Sequence, residues 1–140
     1  MNTPCPCGLP HRYEDCCGRY TCDHAPAPNA EALMRSRYTA YALRLESYLL
    51  ATWHPDTRPA TLNLEDEPQP KWLGLQVKSH RQIDEIHAEV EFVARCKIGG
   101  RAHRMHETSR FVLMAGRWYY ADGDVTGSGN SRMNSVCASK

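Results

Sequence analysis

The chain has 140 residues, with 17 lysines and arginines against 16 aspartates and glutamates, so its formal net charge is +1. A chain of this length can form one ordinary domain with a small appendage. A charge so close to zero provides no overall field that would attract nucleic acid or an anionic membrane. No segment approaches the roughly 18 apolar residues that a membrane-spanning helix needs, and no signal-peptide pattern is present. We therefore expect a cytoplasmic protein without membrane insertion.

Four of the seven cysteines lie near the start of the sequence, in the stretch CPCGLPHRYEDCC. In a reducing compartment, clustered cysteines are more typical of metal binding than of disulfides. Four thiolates complete a closed tetrahedral zinc site, which leaves no open position for a substrate. A segment this short has no apolar core, and a metal ion commonly replaces one. The predicted ligands of Zn²⁺ are Cys5, Cys7, Cys16 and Cys17.

The residues between these cysteines suit such a site. Pro6 and Gly8 fit a tight turn, and residues 11–15 are long enough for one helical turn. Two alternatives remain open: four reduced thiols in a flexible arm, or a redox pair formed by the adjacent cysteines. Cys22 and His24 are also close enough in sequence to act as replacement ligands.

The motif C-P-C-G, followed by a basic, aromatic stretch and C-C, resembles the SEC-C motif of the SecA translocation ATPase and of many small bacterial proteins. In that family the four matching cysteines hold zinc, and in SecA the knuckle contacts the chaperone SecB and the ribosome. The resemblance implies a secretion chaperone or the ribosome as partner. The chain differs from the usual Gly-Ser-Gly-Lys-Lys-Tyr-Lys continuation at Leu9, Pro10 and Glu14.

Helices are predicted after this knuckle, which we assign to residues 1–24. The Ala-Pro-Ala-Pro segment 25–28 predicts a short extended linker, and Asn29 can cap the helix that follows it. A second short helix, or a continuation of the first, is predicted over 47–53, and a loop over 56–71. The expected buried stripe of the first helix comprises Met34, Tyr38, Tyr41 and Leu45, while Arg35, Arg37 and Arg44 fall off it.

From Trp72 onward the hydrophobic period changes to two, which predicts β-strands. In the first strand, Leu73, Leu75 and Val77 alternate with Gly74, Gln76 and Lys78. Two-residue hairpin turns are predicted at 99–100 and 115–116. The register that follows pairs Ile98 with Arg101, Cys96 with His103, Ala94 with Met105, Phe92 with Glu107, Val90 with Ser109, Leu113 with Trp118, Phe111 with Tyr120 and Ser109 with Asp122.

This register assigns the side chains to two faces of the sheet. The core face is expected to hold Val90, Phe92, Ala94, Met105, Phe111, Leu113, Trp118 and Tyr120. On the outer face, the register pairs Glu89 with Arg110, Glu91 with Thr108 and Arg95 with Arg104. Helices followed by an antiparallel meander indicate an α+β fold.

The stretch SRYTAYALRLESYLLATWHPDTR resembles the opening helices of nuclear transport factor 2-like (SnoaL-like) cone domains. With the SEC-C start and the later HETSRF and GRWYYADG, the chain is similar to the YchJ family of small bacterial SEC-C proteins. That family implies a zinc knuckle followed by a cone domain, with helices packed on a curved antiparallel sheet. We assign the cone domain to 29–123 and a flexible tail to 124–140, in which Cys137 is expected to be an exposed thiol.

A cone domain encloses a pocket between its sheet and its helices, and polar groups there could bind a small molecule. A buried Glu107 or Asp122 could act as a general acid or base, although a purely structural role is the simpler interpretation. The pocket candidates are Tyr41, His54, Glu107, Ser109, Tyr120 and Asp122. The pair His106-Glu107 does not begin a zinc-protease motif, since Arg110 occupies the last position of H-E-x-x-H.

Three functions remain open. The favoured one is a non-enzymatic, zinc-binding adaptor whose knuckle docks on a protein or ribonucleoprotein. The second is small-molecule binding or catalysis around Glu107. The third is nucleic-acid contact through the cationic and aromatic residues of the knuckle, namely His11, Arg12, Tyr13, Arg19 and Tyr20.

Overall fold

The computed structural model describes residues 4–22, 25–62 and 70–125. Its elements in chain order are a 3₁₀ helix at Tyr13–Asp15, α1 at Gly18–Thr21, α2 at Ala30–Leu43, α3 at Glu46–Ala51, β1 at Lys71–Gln82, β2 at His87–Ile98, β3 at Arg101–Met114 and β4 at Arg117–Val125. The predictions for His24, for residues 126–140 with Cys137, and for the loop at 63–69 lie outside the described residues.

Helix α2 begins at its predicted cap, because the Asn29 side chain accepts a hydrogen bond of 2.8 Å from the Ala32 amide. It ends at Leu43, because the next residue, Arg44, has a left-handed backbone (φ 59°) that stops the helix. Met34, Tyr38 and Tyr41 are buried, as the stripe predicts. The helix is nevertheless buried on more than one side, since the sheet, α3 and the cysteine-rich segment all contact it.

The four strands form one antiparallel meander in the order β1-β2-β3-β4. Both hairpin turns lie where they were predicted, and their residues have the positive φ angles that such two-residue turns require: 57° and 82° at Gly99 and Gly100, and 52° and 80° at Ala115 and Gly116. The predicted β2–β3 register is confirmed at every pair from Ile98–Arg101 to Val90–Ser109.

Irregularities in two strands make parts of the predicted pattern wrong. A register shift between Trp72 and Gly74 leaves Leu73 on the outside, 49 % exposed, while Trp72 packs against the core. A second shift, between Arg110 and Phe111, moves Asp122 opposite Arg110 instead of Ser109. Asp122 therefore does not face the core with the other pocket candidates.

The core lies between the helices and the inner face of the sheet. As predicted, the inner-face side chains of β2 to β4 contribute to it, and Tyr38, Leu49 and Trp53 cover them from the helical side. After α3 the chain runs beside β4. The His54 amide donates to the Tyr120 carbonyl at 2.7 Å, and the Tyr120 amide donates to the Thr52 carbonyl at 2.8 Å. The sheet and helices thus close around one interior.

Candidate metal centre

Short-range backbone turns bring the four clustered cysteines together. The Cys5 amide donates to the His11 carbonyl at 3.0 Å, which closes the first loop, and Gly8 within it has a φ of 94° that favours glycine. The 3₁₀ helix Tyr13–Asp15 then reverses the chain, and the Cys16 amide donates to the Tyr13 carbonyl at 3.0 Å. The tight turn and the short helical turn expected from the sequence are both present.

The resulting cluster has the geometry of a metal site. The sulfur atoms of Cys5, Cys7, Cys16 and Cys17 all lie within 4.8 Å of one another, and all four residues are buried. The Cys7 and Cys16 sulfurs are 3.7 Å apart. Two thiolates bound to a tetrahedral metal at about 2.3 Å would be roughly 3.8 Å apart. The cluster is therefore compact enough for all four side chains to converge on one metal ion.

The electrostatics of the cluster favour a thiolate at Cys5 and oppose thiolates at Cys16 and Cys17. Hydrogen bonds from Cys17 and Cys7 lower the pKa of the Cys5 thiol well below its usual range. Burial, followed by the charges of its neighbours, raises the pKa of Cys16 to about 12. Hydrogen bonding to Cys5 and Cys7 raises the pKa of Cys17 above its usual range. A bound metal ion would neutralise the charge that opposes the Cys16 and Cys17 thiolates.

The cluster packs against the cone domain through residues that the sequence did not single out. The Thr39 hydroxyl on α2 lies 3.7 Å from the Cys5 sulfur, and Arg35 Nη1 donates to the Cys7 carbonyl at 3.2 Å. Leu75 of β1 packs against the same sulfurs. Arg35 and Thr39 are one helical turn apart, on a side of α2 away from the predicted stripe. Their four-residue spacing was the sequence signal that could have indicated a second contact face on this helix.

The arginines of the knuckle interact with groups close to them in the sequence. Arg12 forms ion pairs with Asp15 at 2.7 Å and Glu14 at 3.4 Å. Arg19 donates to the Cys16 carbonyl at 3.1 Å and stacks over the Tyr20 ring. These contacts leave little free charge for the predicted nucleic-acid surface. Cys22 is exposed and lies outside the four-sulfur cluster, with its sulfur 3.3 Å from the Tyr13 hydroxyl.

Three of the six pocket candidates come together in the core of the cone. Glu107 and Ser109 are each 1 % exposed, and the Ser109 hydroxyl donates to Glu107 Oε2 at 2.9 Å. The Tyr120 hydroxyl lies 3.5 Å from the same oxygen. The backbone of Gly123 packs so closely that an added Cβ would overlap Oε2. This carboxylate is enclosed by protein atoms on these sides.

Arg37 lies in the same interior, which corrects the expectation that it faces away from the core. It is 4 % exposed, and its guanidinium lies 5.0 Å from the Trp53 ring centre and 4.7 Å from that of Tyr120. Its Nη1 donates to the Leu49 carbonyl at 2.9 Å and to the Thr52 hydroxyl at 2.7 Å. Burial lowers the pKa of Arg37, while nearby tyrosines and Glu107 oppose that shift.

Of the other three pocket candidates, Tyr41 is buried in the same core, whereas His54 and Asp122 are not. The Tyr41 ring packs beside that of Trp72, with their centres 6.0 Å apart. The His54 ring nitrogen Nδ1 accepts from the Asp56 amide at 3.0 Å. Asp122 pairs with Arg110 at 2.5 Å on the outer face, where the β4 irregularity places it. A surface cavity opens at a different place, between the 25–27 segment, α3 and β4.

Comparison with known protein families matches both parts of the chain. Residues 29–123 match the model described as YchJ, middle NTF2-like domain, and residues 1–19 match the SEC-C motif. In the ranges that the structure describes, none of the helices combines the length and hydrophobicity that a membrane span requires.

Curated relatives of similar length resemble the chain over most of its extent. A UPF0225 protein of Chromobacterium violaceum is 62% identical over 125 residues, covering 86% of this chain and 92% of the relative. A UPF0225 protein of Polaromonas naphthalenivorans is 54% identical over 136 residues, covering 89% and 98%.

Two solved structures share the fold. The solution structure of a SEC-C motif containing protein from Rhodopseudomonas palustris is 37% identical, with a TM-score of 0.78 and coverage of 89% of this chain and 98% of that one. The crystal structure of a SEC-C motif containing protein from Psychrobacter arcticus is 30% identical, with a TM-score of 0.71 and coverage of 96% and 89%.

Proposed function

The chain belongs to the YchJ (UPF0225) family, and from that premise we propose that it is a zinc-binding adaptor, whose SEC-C knuckle docks on a protein or ribonucleoprotein partner. The observation that carries the proposal is the closed cluster of four buried sulfurs. A site with four protein ligands has no position for a reacting water or substrate, so its metal serves structure and recognition.

Zinc suits this donor set better than the other common metals of proteins. Calcium and magnesium prefer oxygen ligands, whereas four thiolates with tetrahedral geometry favour zinc or an iron–sulfur centre. The 3.7 Å separation between the Cys7 and Cys16 sulfurs fits a single ion. Bound zinc would neutralise the thiolates and hold the two short loops in place, since this segment has few apolar residues of its own.

The partner surface is the exposed side of the knuckle. Because the sulfurs face α2 and β1, the loop between the two cysteine pairs is turned outward. Its exposed side chains include Pro10, His11, Arg12, Glu14 and Asp15. We propose that this surface contacts the partner in the cytoplasm, with a secretion chaperone or the ribosome as candidates from the family resemblance.

The packing around Glu107 gives no support to the alternative of a small-molecule site. Its carboxylate accepts from Ser109, and the Gly123 backbone occupies the space beside it. The candidate base Asp122 lies on the opposite face of the sheet, paired with Arg110. These contacts fit a structural role, in which the buried carboxylate ties β3 to β4.

A binding experiment with the Cys16→Ser variant tests the proposal. The zinc-loaded wild-type protein and the variant are each incubated with purified SecB and, separately, with purified bacterial ribosomes, and complexes are measured by cosedimentation or light scattering. We expect the wild type to bind one of the two partners, and the variant to lose at least about tenfold in affinity while the cone domain keeps its far-UV circular dichroism.

The matched control is Cys22→Ser, which removes a thiol from the same segment but not from the cluster. It should bind zinc and the partner as the wild type does. Equal binding by the wild type and the Cys16→Ser variant would contradict the adaptor role, as would binding to neither candidate partner.

A further inference from the structure

Two like-charged pairs lie side by side on the outer face of the sheet. Lys71 of β1 is directly opposite Lys97 of β2, and Arg95 of β2 is directly opposite Arg104 of β3. All four side chains are exposed. Lys97 and Arg95 are two residues apart on one strand and so share a face, about 7 Å apart along it. We call these four residues the basic patch.

In the part of the chain that the structure describes, no acidic side chain pairs with the basic patch. Within the described ranges, none of its four side chains forms an ion pair or hydrogen bond. Like charges directly opposite each other in a sheet are destabilising, and here two such pairs are adjacent. This arrangement therefore does not contribute to folding stability. A bound polyanion would relieve the repulsion between the like charges.

The other half of the same face shows a different arrangement. There Arg81 pairs with Glu89 at 2.6 Å, His106 with Glu91 at 2.6 Å, and Arg110 with Asp122 at 2.5 Å. Basic and acidic side chains pair with one another there. Among the described residues, two adjacent like-charged cross-strand pairs thus lie at the end of the sheet near the Gly99–Gly100 turn, although the net charge of the whole chain is only +1.

We propose that the basic patch binds the phosphate backbone of a nucleic-acid duplex. The large apolar side chains exposed in the described residues are Leu43, Leu73, Ile83 and Ile86, so no exposed aromatic ring accompanies the patch. Proteins that hold single strands use aromatic rings as stacking platforms, whereas contact with duplex phosphates needs only cations. Binding through phosphates alone is independent of base sequence and of the sugar, so RNA and DNA duplexes both qualify.

The test measures binding of a fluorescent RNA duplex, and of a DNA duplex of the same sequence, by anisotropy at several salt concentrations. For four phosphate contacts, the slope of log K against log salt should be about −3.6, with Kd in the micromolar range or weaker at physiological salt. The single strand and an anionic phospholipid vesicle serve as further probes, and we expect both to bind more weakly than the duplexes.

The decisive variant is Arg95→Glu/Lys97→Glu, which reverses one member of each like-charged pair. It leaves two cations and two anions in the patch, so we expect duplex affinity to fall at least about tenfold and the salt dependence to disappear. Its melting temperature should equal or exceed that of the wild type, because both cross-strand pairs become attractive. The control Arg58→Glu/Arg81→Glu makes the same change in net charge away from the patch and should bind nearly as the wild type does.

Several outcomes would overturn the proposal: no duplex binding by the wild type, equal loss in the control variant, or binding confined to the single strand or to vesicles. The Cys16→Ser variant separates this proposal from the adaptor role. It should keep its duplex affinity, because the patch lies on β1 to β3, whereas its binding to a protein partner is expected to fail.

Discussion

The carboxylate of Glu107 is held in the interior by neighbours that leave it little freedom. It accepts a hydrogen bond from Ser109 and lies near the Tyr120 hydroxyl. Tyr120 in turn stacks beneath the guanidinium of Arg37. A buried carboxylate and a buried guanidinium in one interior reduce the cost of desolvating each other. These side chains connect α2 to β3 and β4.

We predict that Gly123→Ala destabilises the protein by about 1–3 kcal/mol, because an added methyl group would overlap Glu107 Oε2 and crowd the Thr108 carbonyl. The measurement is urea unfolding followed by tryptophan fluorescence. Gly74→Ala is the matched control, since it is also a strand glycine but has no atom within 4 Å of the added carbon. Its stability should change by less than about 0.5 kcal/mol, and an equal loss in both variants would contradict the assigned packing.

The strands of the meander are specified mainly by their turns and by alternation. The two-residue turns at Gly99–Gly100 and Ala115–Gly116 determine which residues face each other, and this was sufficient to predict the β2–β3 register. The irregularities could not be predicted, because a register shift depends on how a strand must bend over the core. One such shift moved Leu73 outward and another moved Asp122 away from Glu107.

The second turn offers a prediction for a single element. Ala115 has a left-handed φ of 52°, which costs an alanine roughly 1–2 kcal/mol relative to glycine. Ala115→Gly should therefore stabilise the protein by a few tenths to about 1 kcal/mol, after the greater freedom of glycine in the unfolded chain is subtracted. Thermal unfolding checks this. In Ala102→Gly, at an exposed position within β3, the same change should instead destabilise by about 0.5–1 kcal/mol, and the same sign in both variants would contradict the turn assignment.

In the whole molecule, the cysteine-rich segment and the cone domain are packed together rather than held apart by an extended linker. Thr39 and Arg35 on α2, with Leu75 on β1, contact the sulfur cluster or its backbone. The sequence indicated the four clustered cysteines from their spacing alone. It could not indicate this contact, because polar residues on the far side of a helix look the same whether they meet solvent or a neighbouring segment. Burial of Arg37 escaped prediction for the same reason.

The contact between the two parts has a consequence for function. Because the sulfur side of the knuckle rests on α2 and β1, the cone domain fixes the orientation of the outward loop. A loop held in this way loses less conformational entropy on binding than a free arm would. The basic patch lies on the outer face of the same sheet, so one rigid body could present two distinct surfaces.

The most direct test of the adaptor account is native mass spectrometry of the wild-type protein, purified under reducing conditions without chelators. We predict a mass that corresponds to the chain plus one zinc ion, and loss of that ion in the Cys16→Ser variant but not in Cys22→Ser. Lowering the pH should release the ion, because protons compete with it for the thiolates. A wild-type mass without metal, or zinc retained equally by Cys16→Ser, would contradict the central claim that these four cysteines form a zinc site.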